Sequence, residues 1–307
     1  MKNRILYIAL CFCLVFIAKA QQLPQYTQYM LNQMAINPAY AGTEEFPEVR
    51  SNNRQQWVGI TDAPRTYMLT LNGPIKAKHM GIGMGVYTDI VGPTRRTGIN
   101  ASYAYHLKLQ EDMTLSMGLT AGILQWGIDG NKLTIREEDD PSLSNVYQTT
   151  IVPDFGAGLY FRKAKQFYVG ISIPQIYQAP IGLYDASKES RVVSHFNING
   201  AYSYSLNEQF VIEPSFLLKY VKPASPILDI GARVIYKDEL WAGLTYRTKD
   251  AVSFLVGYMF KNYLMIGYSY DFTTSNVRKY SSGTHEIMLG IRFSRKQAAT
   301  WGRPSQN

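Results

Sequence analysis

Cysteine is nearly absent from this 307-residue chain, and its two copies fall where a mature protein would not keep them. Cys11 and Cys13 both lie in an N-terminal stretch that reads as a secretory leader. Lys2 and Arg4 form a basic start, Ile5 to Ile17 is unbroken apolar sequence, and Ala18-Lys19-Ala20 supplies the small-x-small pattern that a signal peptidase needs. Cleavage before Gln21 is expected. It would leave a mature chain without a thiol, which excludes disulfides, thiolate metal sites and cysteine nucleophiles. Lipid attachment to either cysteine is disfavoured, because Leu10 and Phe12, not small residues, precede them.

Charge is also scarce, at 18% of residues. The leader carries Lys2, Arg4 and Lys19 and no acid, so processing leaves 28 basic against 23 acidic residues, a net +5 instead of +8. That excess is spread out, without the basic stripe and interleaved aromatics of a nucleic-acid surface, so no nucleic-acid partner is expected. Beyond the leader no apolar run approaches the roughly 20 residues of a helical span. A membrane-crossing chain of this kind must cross with strands.

What the sequence does hold is alternation. Met113, Leu115, Met117, Leu119, Ala121 and Ile123 alternate with Thr114, Ser116, Gly118, Thr120 and Gly122. The same period of two recurs over Met80 to Val86, Ile99 to Leu107, Leu264 to Phe272 and His285 to Phe293. A soluble sandwich would place Lys, Glu and Arg on its polar face, whereas here that face is rich in Gly, Ser and Asn. With 23 Tyr and 24 Gly, and strands near ten residues, the pattern predicts an all-β transmembrane antiparallel barrel. Its lumen face is expected to be sparing in Arg, Asp and Glu.

Short turns at Lys108 to Asp112, Lys163 to Gln166, Leu206 to Gln209, Tyr236 to Glu239 and Lys261-Asn262 contrast with longer connections at Gln125 to Thr150, Pro174 to Ser190 and Thr273 to Gly283. Assigning the short class to the periplasm and the long class to the extracellular side gives about fourteen strands from Glu48 to Phe293, with both termini periplasmic. The domain plan is a leader over 1–20, an N-terminal periplasmic arm or lumenal plug over 21–47, the barrel over 48–293 and a polar periplasmic tail over 294–307.

Catalytic motifs are missing. There is no G-x-S-x-G elbow and no H-E-x-x-H pair, and His285-Glu286 on a strand would point to opposite faces. Ser194-His195 with Asn197 faintly suggests a hydrolase constellation but has no convincing nucleophile. No metal site and no cofactor are expected, and the chain does not read as an enzyme. The glycines of Gly81-x-Gly83-x-Gly85 lie within a strand, so they relieve lumen crowding or admit a plug backbone rather than cradle phosphate. Glu137-Glu138-Asp139-Asp140 and Arg54-Gln55-Gln56-Trp57 are the candidate partner-binding runs.

Between Gln25 and Gly42, Gln28-Tyr29-Met30, Asn32 and Ile36-Asn37-Pro38-Ala39-Tyr40-Ala41-Gly42 resemble the N-terminal signature of the PorP/SprF family. The resemblance continues through Arg54 to Trp57, Ala63-Pro64-Arg65-Thr66, Val91-Gly92-Pro93, Ala101 to Tyr105, Phe167 to Ser172 and His285-Glu286. It implies an outer-membrane barrel of the type IX secretion system that helps secrete or retain a surface protein with a C-terminal sorting domain, such as an adhesin of gliding motility. It also implies coupling to periplasmic peptidoglycan-binding or motor components. Asn37, Pro38, Tyr40, Arg54, Gln56 and Trp57, with the acid run Glu137 to Asp140, are the partner-binding candidates on this view. A general diffusion porin is the alternative, and lipid of the outer membrane is the expected surrounding.

Overall fold

The computed structural model describes residues 23–75, 79–110, 112–133, 147–164, 166–183 and 190–293. Fifteen strand segments form one antiparallel sheet: β1 (Glu48–Gln55), β2 (Arg65–Ile75), β3 (Met80–Val91), β4 (Thr94–Lys108), β5 (Met113–Asp129), β6 (Tyr147–Lys163), β7 (Phe167–Ile173), β8 (His195–Tyr202), β9 (Tyr204–Ser205), β10 (Phe210–Val221), β11 (Ile227–Tyr236), β12 (Leu240–Arg247), β13 (Ala251–Phe260), β14 (Leu264–Thr273) and β15 (Thr284–Arg292). β8 and β9 are one stave interrupted at Ser203, since both pair with β10. Each stave pairs with the next in sequence, and β1 pairs with β15, Arg54 opposite Glu286, so fourteen staves close the barrel.

The alternating pattern maps onto the wall as physical chemistry requires. In β5, Met117, Leu119 and Ile123 face outward and are exposed, while Ser116 and Gly118 face the lumen and are buried. Leu69, Leu71, Ile82, Met84, Ile266 and Leu289 continue this outward apolar belt. Aromatic pairs such as Phe161 with Phe167 and Phe210 with Tyr236 mark its short-turn edge, where amphipathic rings suit a membrane interface. Leu119 is 65% exposed near the middle of β5. Leu119→Arg is expected to cost about 2–4 kcal/mol of stability in a bilayer, and far less in a short-chain detergent, as read by denaturant titration.

Staves differ in length. β5 and β6 run for 17 residues each, well beyond the ten expected from the alternation, whereas β1 and β12 have 8. The loop between β5 and β6 is therefore narrower than the sequence suggests: Gln125 to Asp129 and Tyr147 to Thr150 belong to strands. Glu137 to Asp140 lie outside the described residues. All connections at one end are short. The other end carries the longer ones but also the tight β3–β4 and β12–β13 connections, so turn length separates the two ends less strictly than expected.

Candidate functional site

The lumen is occupied by the chain's own N-terminal segment. From Tyr26 to Thr43 nearly every residue is buried, with Gln28, Asn37, Ala39 and Ala41 fully so. This strap enters near the longer loops, where the Leu23 amide donates to Nε2 of His195 at 3.2 Å. It leaves at the opposite rim, where the Gly42 amide donates to the Asn72 side chain at 3.3 Å before β1 begins. Residue 23 and the end of β15 thus sit at opposite ends of the barrel. The ends of the mature chain themselves, 21–22 and 294–307, lie outside the described residues. A segment that traverses the lumen adds one crossing to a count made from strands alone.

Its upper part is held by an ion-pair latch. Glu286 of β15 accepts the Thr27 amide at 2.8 Å, the Gln28 amide at 3.2 Å, the Asn52 side chain at 3.1 Å and Nη1 of Arg54 at 3.1 Å. The Thr27 hydroxyl donates to Asp271 at 2.8 Å and accepts from Arg54 at 2.9 Å and from Arg247 at 3.3 Å. Asp271 in turn pairs with Arg54 at 2.7 Å and with Arg247 at 3.3 Å, and Arg247 pairs with Asp229 at 2.7 Å. These charges are fully desolvated, so they are tolerable only because each is met by its opposite and by several hydrogen bonds.

The middle and lower parts depend on small residues in the wall. Asn37, the cap of a short 3-10 turn that starts at Pro38, donates through Nδ2 to the carbonyl of Leu159 at 2.9 Å. The strap backbone then presses so closely on β5 and β3 that a Cβ at Gly118 would collide with Ala39, and one at Gly81 with the Ala41 carbonyl. Gly81 therefore does admit a plug backbone, while Gly83 makes room for the Met34 side chain of the strap. Below them Tyr40 packs edge-on against Tyr160, with ring centres 5.8 Å apart. The Tyr40 hydroxyl donates to Glu44 at 3.2 Å.

Above the strap, the β7–β8 connection folds into the mouth. Ala179, Ile181 and Val192 pack with Tyr26, Trp126 and Val152 in one buried cluster. A cavity of ≈ 130 Å³ remains beneath it, and a wider vestibule of ≈ 460 Å³ opens at the short-turn end beside Glu44, Arg50, Arg162 and Asp238. The strap and an infolded loop thus fill much of the lumen.

Several sequence expectations change once the strap is in place. Asn37, Pro38, Tyr40 and Arg54 are enclosed in the barrel, and their contacts are made with the chain itself. Gln56 and Trp57 are half-buried at the longer-loop end, where the Trp57 amide donates to Thr284 at 3.1 Å. Ser194 donates to the Gln175 carbonyl and His195 takes the Leu23 amide, so the two do not form a nucleophile pair. Among the described residues no cluster of three or more His, Asp or Glu is set to hold a metal. The expectation of a lumen sparing in charge is wrong: Glu48, Arg50, Asp89, Glu213, Arg233 and Arg292 face inward as well as the latch. Pairing is what makes them bearable, and pairing cannot be seen in composition. The signal that was available is the parity of Arg54 and Glu286, each on the small-polar face of its strand.

Residues 18–291 match the family described as "Type IX secretion system membrane protein PorP/SprF". No curated protein sequence matches the chain. Among solved structures, the chain is similar to the monoaromatic hydrocarbon channel CymD, at 13% identity and a TM-score of 0.49, with 88% of this chain and 92% of that one covered. It is similar to the toluene transporter TodX of P. putida at 10% identity and 0.49, covering 85% and 94%. A Pseudomonas aeruginosa FadL homologue gives 12% identity and 0.46, covering 84% and 93%.

Proposed function

Because this chain belongs to the PorP/SprF family of type IX secretion membrane proteins, we propose that it is a non-conducting, non-enzymatic accessory barrel of the outer membrane. It helps secrete or retain a partner surface protein carrying a C-terminal sorting domain, of the gliding-adhesin kind, at the longer-loop face. At the short-turn face it couples to periplasmic peptidoglycan-binding or motor components. The observation that carries this reading is the filled lumen: a strap pinned by Glu286, Asp271, Arg54 and Arg247 leaves no path for a polypeptide.

Three features support the assignment of faces. Outer-membrane barrels turn short connections toward the periplasm. The short-turn vestibule presents Glu44, Arg162 and Asp238, a mixed-charge surface suited to a polar protein partner. The segment 130–146, with its acid run, is the longest connection apart from the infolded one, and it is the candidate contact for the surface protein. The leader over 1–20 would deliver the chain across the inner membrane before insertion.

Affinity purification from outer membranes tests the reading. The barrel is expected to carry with it a large surface protein and a periplasmic peptidoglycan-binding protein; recovery of the barrel alone would count against it. Removing 130–146 while keeping β5 and β6 whole is expected to release the surface partner into the medium with barrel levels unchanged. Retention of that partner at the cell surface would sink the loop assignment.

A further inference from the structure

The strap does more than fill space, because it lies against the one junction in the barrel that has no local partner. Every other stave pairs with its sequence neighbour. β1 must find β15, and the Asn52–Glu286 contact across that seam joins residues 234 apart. Closing so long a loop is the entropically slowest pairing in the fold. A slip of one residue would turn either Arg54 or Glu286 out toward lipid, parting the pair.

The strap touches both sides of that junction. Glu286, on β15, accepts the Thr27 and Gln28 amides, and its own carbonyl accepts from the Gln28 side chain at 3.2 Å. On β1, Arg54 donates to Thr27, and the Asn32 side chain donates to Asn52 at 2.8 Å. One turn of strap therefore bonds to first and last strands together, at the rows where Arg54 faces Glu286 and Asn52 faces Met288. The strap is also covalently continuous with β1, so it is present at that strand from the start.

We infer that residues 26–32 are an intramolecular template that brings β15 to β1 in register and so closes the barrel. The strap's lower anchor gives the internal contrast. Asn37 binds carbonyls of β6 and β7, at Leu159 and Ile171, well away from the seam. A template contact is made in the transition state for closure, whereas a filler contact is made after it. Loss of the first slows folding, and loss of the second speeds unfolding.

The test is folding of the full mature chain into lipid vesicles, followed by tryptophan fluorescence and by the gel mobility of the unheated protein. T27V/Q28L is expected to slow folding about tenfold or more, while N37L leaves the folding rate within about twofold and accelerates unfolding. Equal folding rates for T27V/Q28L and the unaltered chain overturn the template. Should T27V/Q28L not fold, a cysteine pair at Ser51 and Leu289, opposite one another in the seam, supplies the answer in a chain otherwise free of thiols after processing. Failure of that disulfide to form in T27V/Q28L, with ready formation in N37L, supports the proposal. Formation in both would mean the seam finds its register without the strap.

Discussion

Arg54→Ala is expected to cost about 3–5 kcal/mol of barrel stability, the largest single effect on folding that the structure predicts. The guanidinium is 1% exposed and spans Asp271 at 2.7 Å and Glu286 at 3.1 Å. Its removal leaves Arg247 as the main cation for a group that includes Asp271, Glu286 and Asp229, all out of reach of bulk water. Denaturant unfolding in lipid or detergent reads the loss directly. Adding Glu286→Gln to Arg54→Ala should recover part of it, because one of the stranded carboxylates is then neutral and still able to accept from Thr27. A loss below about 1 kcal/mol would show that water reaches the latch and that the strap is held elsewhere.

The second large effect concerns ion flow. The unaltered barrel is expected to give no conductance steps in a planar bilayer, since the strap and the infolded β7–β8 connection fill much of the lumen at different depths. Gly118→Val places a branched side chain where the backbone of Pro38 and Ala39 runs, and the wall cannot retreat without breaking the β4 and β6 ladders. The strap is the part that must yield. Discrete conductance steps are expected from G118V in protein that still migrates as a folded barrel. A folded but silent G118V would mean that the infolded loop seals the lumen unaided. Steps from the unaltered protein would favour a diffusion channel over an accessory barrel.

How far the sequence foretells this arrangement depends on the residue. Period-two alternation makes each wall face legible, so Leu119 outward and Gly118 inward follow directly, as does closure by strands near Glu48 and Arg292. The strand ends are less legible, because β5 and β6 keep their pairing past the apolar belt into residues that read as loop. The site divides in the same way. Gly81 signals close backbone approach, and the missing Cβ is a local fact. The latch is not local: Thr27, Arg54, Arg247, Asp271 and Glu286 come from five places in the chain, and no spacing rule unites them. Segment 21–47 reads equally as an arm or a plug because it has no period, and what packs its described residues, 23–47, is the complementary wall, not their own pattern.

The unequal staves give the outer mouth a shape with directional consequences. Seventeen residues in β5 and β6 against eight in β1 and β12 amount to about 30 Å of extra strand, or roughly 20 Å of height once tilt is allowed for. The rim is therefore raised as a palisade over β4 to β6 and low on both flanks of it, over β7 and β8 on one side and over the β12–β1 arc on the other. A bulky neighbour sliding in the plane of the membrane would clear the low arcs and be stopped against the palisade, so the barrel presents a neighbour with different heights of wall on different sides.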